Sequence, residues 1–325
     1  GVPASDTLKN MLIVGIDAGG SKTVCQIGDA EGRVVGEARG PGANLQSAGE
    51  LQVEKVLHDV MNEALADLPG TPASICVGMA GVDRPNDAKV MRAMLHRLCR
   101  GSRALIVNDA LIALEAGAPN REGIVLIAGT GSIAYGRDAH GHAARAGGWG
   151  NVLGDEGSGF WLGRQALRAV LRAADQRGEP TALAERVIAH FNVARPQDLV
   201  QPIYEGGMKP KVVAAIAPLV AAVADEGDAV AIRIVDAGVE ELASAVASVA
   251  RRLALTDTSI PVPLAGGIFR EVPRVRRLVL ERLHAILPAA APALLTVEPA
   301  TGARHLATAL LHGEVRVPVY LDTTH

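Results

Sequence analysis

The stretch MLIVGIDAGGSKTVCQIGDAEGRVV, Met11 to Val35, decides the fold. An apolar run ends at Asp17, a Gly-Gly-Ser turn follows, and the alternating segment TVCQIG (Thr23–Gly28) resumes as a strand. A P-loop or a dinucleotide-binding turn would open a helix there, and Lys22 stands one place late for a P-loop lysine. The same plan returns in IVLIAGTGSIAYGRDAHGHAA, Ile124 to Ala144. In both, a second strand runs into an Asp-Ala-x-Gly turn, Asp29–Gly32 and Asp138–Gly141, which indicates a duplicated unit. One such segment reads as an ordinary β-hairpin. The matched pair reads as two phosphate-binding turns, with glycines admitting an anion close to backbone N–H groups and with Ser21, Thr23, Thr130 and Ser132 as hydroxyl donors.

Composition narrows the function classes. A chain of 325 residues with 49% hydrophobic content has room for two cored domains, built from Ala, Val, Leu and Ile because only 2% is aromatic. A net charge of -3 provides no basic face for a polyanion, so no nucleic-acid partner is expected. Cys25, Cys76 and Cys99 are isolated in or beside apolar runs, which favours buried free thiols over a zinc or iron–sulfur site. Val212–Ala224 is short for a membrane span and contains Pro218, so it reads as a buried helix. Residues 1–10 read as a disordered leader or a tag remnant, and with no export signal visible the expected compartment is the cytoplasm.

Along the chain, strands are expected at Met11–Asp17, Thr23–Gly28 and Arg33–Arg39, then a helix near Glu50–Leu68, the strand Ala73–Gly81, a helix around Asp87–Cys99, the strand Ala104–Asn108 and a helix after Asp109. The second half restarts at Ile124, passes the Gly-rich run Gly147–Gly159, becomes helical, and returns to strands at Ile260–Gly267 and Leu294–Pro299 before a last helix, Ala303–Gly313. Strand triplets followed by β-α alternation imply two α/β domains flanking a cleft. Their limits are taken as 11–118 and 119–325, leaving open whether the final helix packs back on the first domain.

The chemistry centres on carboxylates. Asp109 follows an apolar strand, where α/β folds place ligand-facing groups, and serves either as the base that takes a proton from an attacking hydroxyl or as the N-cap of the next helix. Asp17, beside Gly19 and Gly20, suits Mg²⁺ through water or forms part of the turn. Lys22 either neutralises phosphate or is a solvated hairpin lysine. In Gly147–Gly159, Asp155 suits a polyhydroxylated ligand or caps the helix containing Phe160. Asn44 offers a donor and an acceptor to a sugar hydroxyl or simply makes a turn. His140 and His142, and the pairs Arg251–Arg252 and Arg276–Arg277, read as solvated surface.

The succession GIDAGGSKT, VNDA, GTGS, GGWGNVLGDEGS and PLAGGIF resembles the N-acetylglucosamine kinase group in the BadF/BadG branch of the sugar kinase–Hsp70–actin superfamily, from Met11 to about Gly313. The resemblance implies a two-domain actin-like (ribonuclease H-like) α/β fold, a mixed sheet with helices in each domain, and ATP in the cleft. Its phosphates would lie at Gly19, Gly20, Ser21, Lys22 and Thr23 and at Gly129, Thr130, Gly131 and Ser132, with Ala214, Gly266 and Gly267 near the adenosine. Amino-sugar contacts would fall on Asn44, Gly147, Gly148 and Asp155, with Asp109 as base and Asp17 on Mg²⁺. Asp17 stands where some members carry Glu, and Leu45–Gln46 lacks the aromatic of some relatives. The cluster cysteines of the dehydratase activators and the zinc motif of the ROK kinases are missing. The expected activity is therefore 6-phosphorylation of N-acetylglucosamine or a close amino sugar, by a homodimer. Glucosamine or N-acetylmuramic acid kinase and an ATPase module acting on a partner protein are the alternatives.

Overall fold

The computed structural model describes residues 11–43, 45–82, 85–205 and 208–321, with the side chains at 46, 47 and 85 left aside. The readings made for residues 1–10 and for Asn44 lie outside the described residues.

Apolar alternation produces two sheets with one plan. In the first, β1 (Met11–Ala18), β2 (Lys22–Gly28), β3 (Val34–Pro41), β4 (Thr71–Met79) and β5 (Arg103–Val107) lie in the order β3-β2-β1-β4-β5. In the second, β6 (Gly123–Ala128), β7 (Ser132–Arg137), β8 (His142–Gly147), β9 (Pro261–Ala265) and β10 (Ala291–Leu294) follow the order β10-β9-β6-β7-β8. Both begin as an antiparallel meander, and both add their later strands parallel to the first. The Asp-Ala-x-Gly turns match as well, ending at Gly32 (φ 82°) and Gly141 (φ 87°), a backbone conformation that glycine adopts without penalty.

Contacts divide the chain into unit 1 (1–122, 139–142 and 295–325) and unit 2 (123–138 and 143–294). In unit 1, α1 (Glu50–Leu65) and α2 (Pro85–Leu98) cover one face of the sheet, burying Val53, Leu57, Met91 and Leu95 against Ile16, Ile75 and Val77. The helices α3 (Asp109–Gly117) and α10 (Pro299–His312) cover the other. Small residues set how closely they approach. A Cβ on Gly302 would lie 1.9 Å from the Ile112 carbonyl oxygen, and one on Gly15 would lie 2.4 Å from the Arg304 nitrogen.

Unit 2 carries α4 (Gly159–Ala174), α5 (Pro210–Ala214), α6 (Ala217–Asp225), α7 (Ala229–Arg252), α8 (Gly267–Glu271) and α9 (Pro273–Ile286). The Ala-rich run expected as one helix is two, α5 and α6. The break falls where Pro218, in the first turn of α6, has no N–H to continue the preceding helix. The late strand expected at Leu294–Pro299 instead occupies Ala291–Leu294. There it pairs in parallel with β9 as an edge strand that tolerates Pro292, while Glu298 and Pro299 start α10. Among the described residues no helix is long and apolar enough to cross a membrane.

The α3–α10 contact carries a direct test. Gly302→Ala is expected to cost about 1–3 kcal/mol through overpacking against backbone. Gly20→Ala, with nothing within 4 Å of the new methyl, should leave thermal unfolding nearly unchanged.

Candidate active site

In unit 1 the register places two carboxylates at one sheet edge. Asp17 pairs across to Gly78 on β4, and Gly78 pairs to Val107 on β5, two residues before Asp109. The α3 helix runs back over the sheet at Gly78, where an added Cβ would meet Ile112 Cδ1 at 2.3 Å. The helix is capped by Asn108, whose side chain accepts the Ala110 N–H at 2.8 Å. Capping was one of the two roles open to Asp109 from its sequence position, and the structure gives it to Asn108. Asp109 is instead the first residue of the helix, where the dipole favours a carboxylate. Burial, and then the Asp109 carboxylate, push the Asp17 carboxyl up to about 7, with Lys22 pulling the other way.

The β1–β2 turn holds the remaining residues predicted for this unit. The Gly19 N–H donates to Lys22 O at 3.0 Å, and Ala43 N–H donates to Gly19 O at 3.0 Å. Gly42 has no room for a Cβ beside Gly20 O, so the chain just after β3 lies against the turn. Gly20 and Ser21 are exposed. Thr23 is fully buried and its hydroxyl donates to Pro41 O at 2.7 Å, so it is not a phosphate donor: its side chain faces into the sheet packing. Lys22 is not a freely solvated lysine, because its ammonium pairs with Glu298 at 3.0 Å.

In unit 2 the residues predicted around a nucleotide converge. Gly129 follows the β6 strand, and its carbonyl accepts Gly159 N–H at 2.8 Å while that of Thr130 accepts Phe160 N–H at 3.2 Å. The turn is thus tied to the N-terminus of α4. Ala214 packs on Gly159, where a Cβ would come within 3.2 Å of the alanine methyl. Gly266 (φ 102°) has no space for a Cβ beside Ala128 O, and Gly267 follows next to Gly129. Ser132 departs from the expectation: its hydroxyl donates to Glu156 O at 2.8 Å and belongs to the loop scaffold.

The Gly-rich run 147–159 folds back on the same turn. Gly147 and Gly148 both have positive φ, and Gly148 N–H donates to Ser132 O at 2.9 Å. The α4 helix is capped by Ser158, accepting from Trp161 N–H at 3.2 Å, so Asp155 is not its cap. Asp155 is 8% exposed in a left-handed conformation, and it accepts the backbone N–H groups of Ser132 and Gly150. Burial nonetheless pushes its carboxyl above the usual range. The Asp155 carboxylate fills the place where Gly131 would carry a side chain, 2.7 Å from that Cβ. Trp149 projects from the run, 61% exposed, with the Arg145 guanidinium 4.6 Å from its ring centre.

Sequence reasoning missed Asn108 as the cap, and it missed Glu298 and Arg39, which join Lys22 in one ion-pair network. A capping signal was present in the Asn-Asp pair before α3. No local signal joins Glu298 to a lysine near the other end of the chain. Among the described residues no group of three or more His, Cys, Asp or Glu is arranged to hold a metal.

Comparison with known proteins gives the lineage. The chain is 36% identical over 264 residues to an N-acetylmuramic acid/N-acetylglucosamine kinase of Clostridium acetobutylicum, covering 80% of this chain and 86% of the relative. It is 30% identical over 310 residues to an N-acetyl-D-glucosamine kinase of Dictyostelium discoideum, covering 91% and 97%. A solved candidate N-acetylglucosamine kinase from Chromobacterium violaceum superposes with a TM-score of 0.74 at 25% identity, covering 92% of this chain and 98% of that one. The repeated sheet plan is accordingly that of the actin-like sugar-kinase ATPase fold. The model of the BadF/BadG/BcrA/BcrD ATPase family matches residues 14–307, and the chain belongs to that family.

Proposed function

We propose that this chain transfers the γ-phosphoryl group of ATP to the 6-hydroxyl of N-acetylglucosamine or a close amino sugar. The observation that carries the reading is Asp109 released from capping by Asn108 and set beside Asp17 at the carboxyl edge of the sheet. Both curated relatives named above are amino-sugar kinases, which supports the substrate class. Asp109 accepts the proton of the sugar hydroxyl as its oxygen attacks the γ-phosphorus, and the bond to the departing ADP oxygen breaks with its charge left on ADP. Phosphates are assigned to the backbone and hydroxyls of Gly19–Ser21 with Lys22, and to Gly129–Gly131. The adenosine is assigned to Ala214, Gly266 and Gly267, and the sugar to Asn44, Gly147, Gly148 and the loop that Asp155 holds.

Two carboxylates brought together with one lysine suit a divalent cation, since Mg²⁺ takes one or two carboxylates and fills its shell with water and phosphate oxygens. Asp17 would hold it, and the ion would supply charge neutralisation on the β- and γ-phosphates. The reading places the enzyme in the cytoplasm, where ATP is available and the buried thiols stay reduced, and takes a homodimer as its working assembly.

A coupled ADP-release assay with Mg-ATP and a panel of glucose, glucosamine, N-acetylglucosamine, N-acetylmannosamine and N-acetylmuramic acid tests this. Strong stimulation by an N-acetylated amino sugar is expected, and relative kcat/KM ranks N-acetylglucosamine against N-acetylmuramic acid. Hydrolysis indifferent to every sugar would favour an ATPase module instead. Asp109→Asn should lower kcat by roughly 10²–10⁴ while nucleotide affinity stays nearly constant; turnover within a few-fold of the unmodified enzyme would remove Asp109 from the role of base.

Asp17 gives a pH signature in the absence of nucleotide and metal. Its folded pKa of about 7 lies above the ordinary value of 3.8, so the folded state holds the proton more tightly. Its contribution to stability is therefore greatest at low pH and is lost as pH rises towards 7. Asp17→Asn should raise Tm by several degrees at pH 8, with the gain shrinking towards pH 4, and should impair turnover. Melting curves across that range would show a gain independent of pH if the folded protein left the Asp17 carboxyl at its ordinary value.

A further inference from the structure

Glu298 and Arg39, the partners of Lys22, have no part in the assignments above. Lys22, Val24 and Gln26 alternate with Thr23 and Cys25 on the two faces of β2, and the register sets Val24 opposite both Asp17 on β1 and Arg39 on β3. Asp17, Lys22 and Arg39 therefore share the sheet face covered by α10. Glu298 stands at the first residue before that helix, and the chain passes from unit 2 into unit 1 between Leu294 and Leu295. One Glu298 oxygen accepts from Lys22 Nζ at 3.0 Å, and the other accepts from Arg39 Nη1 at 2.9 Å and lies 3.3 Å from Lys22 Nζ. Arg39 is held from its far side by Glu37 at 2.8 Å. Glu298 is itself 25% exposed, so its charge is only partly met by water. Below it, Thr301 donates to Gln26 at 3.1 Å, fixing the first turn of α10 on β2.

We propose that Glu298 is a positioning residue for the nucleotide, acting through Lys22. A lysine side chain has four rotatable bonds and loses rotamer entropy when it binds a phosphate. Glu298 confines the ammonium beside the β1–β2 turn before any ligand arrives, and it leaves N–H donors of the ammonium available to a phosphate oxygen. Arg39, braced by Glu37, keeps the Glu298 carboxylate in place and supplies the charge that lets it hold Lys22 without neutralising it. This rests on the assignment of phosphates to the β1–β2 turn, and not on the identity of the sugar.

The test is the Kd of Mg-ATP, measured calorimetrically on the full chain without sugar. Glu298→Ala should weaken ATP about two- to fivefold, the scale of a half-exposed ion pair, and should add nothing to Lys22→Met in the double variant. Glu298→Gln, which keeps shape and one acceptor, should fall between Glu298→Ala and the unmodified chain and guards against a folding defect. An unchanged Kd in Glu298→Ala, or an equal loss with and without Lys22, would overturn the proposal. Because Kd is read without turnover, a chain that binds ATP but phosphorylates no sugar would defeat the kinase reading and leave this one standing.

Discussion

A buried carboxylate facing a like charge organises the first unit. Asp17 near the end of β1 and Asp109 just past β5 lie at the same edge of one sheet with β4 between their strands, and burial of Asp17, added to the Asp109 charge, raises its carboxyl to about 7. A fold tolerates that strain only where the surrounding packing fixes both groups. Here it does: Asp17 sits in the register between β1 and β4, and Asp109 sits at the start of a helix whose cap is supplied by a neighbour.

That rigidity comes from backbones meeting at glycine. Gly15 lets α10 lie directly on β1, Gly302 lets the same helix touch α3, and Gly78 lets α3 reach down to β4. Three elements distant in sequence are thereby locked at one place, and the last of them brings Glu298 to Lys22. In a chain with few aromatics, close approach of small residues does the work that large interlocking side chains do elsewhere.

The fold was largely legible because the signals were periodic or punctuated. Strand alternation, the paired Asp-Ala-x-Gly turns and the Gly-Ser/Thr turns are local, and the structure repeats its sheet plan where they repeat. The break before Pro218 was missed because alanines on both sides favour helix, and the edge strand at Ala291–Leu294 was misplaced because a proline-containing edge carries little strand preference of its own. For the candidate site, Asp109 and Asp17 could be proposed from their place at the ends of apolar strands. What local reading could not supply was the partner of each group: that Asn108 caps in place of Asp109, that the hydroxyls of Thr23 and Ser132 point inward, and that Glu298 meets Lys22. Those facts belong to tertiary packing.

The contact between Asp155 and Gly131 reaches further than the loop it closes. One carboxylate occupies the space of a missing side chain on the turn proposed to hold phosphate and, through Gly150, holds the run that carries Gly147 and Gly148. The turn at Gly131 and the Gly-rich run are therefore a single mechanical part. Under the proposed assignment of sugar to the run and phosphate to the turn, a change in one would be transmitted to the other, so altered specificity and altered ATP affinity should be inherited together.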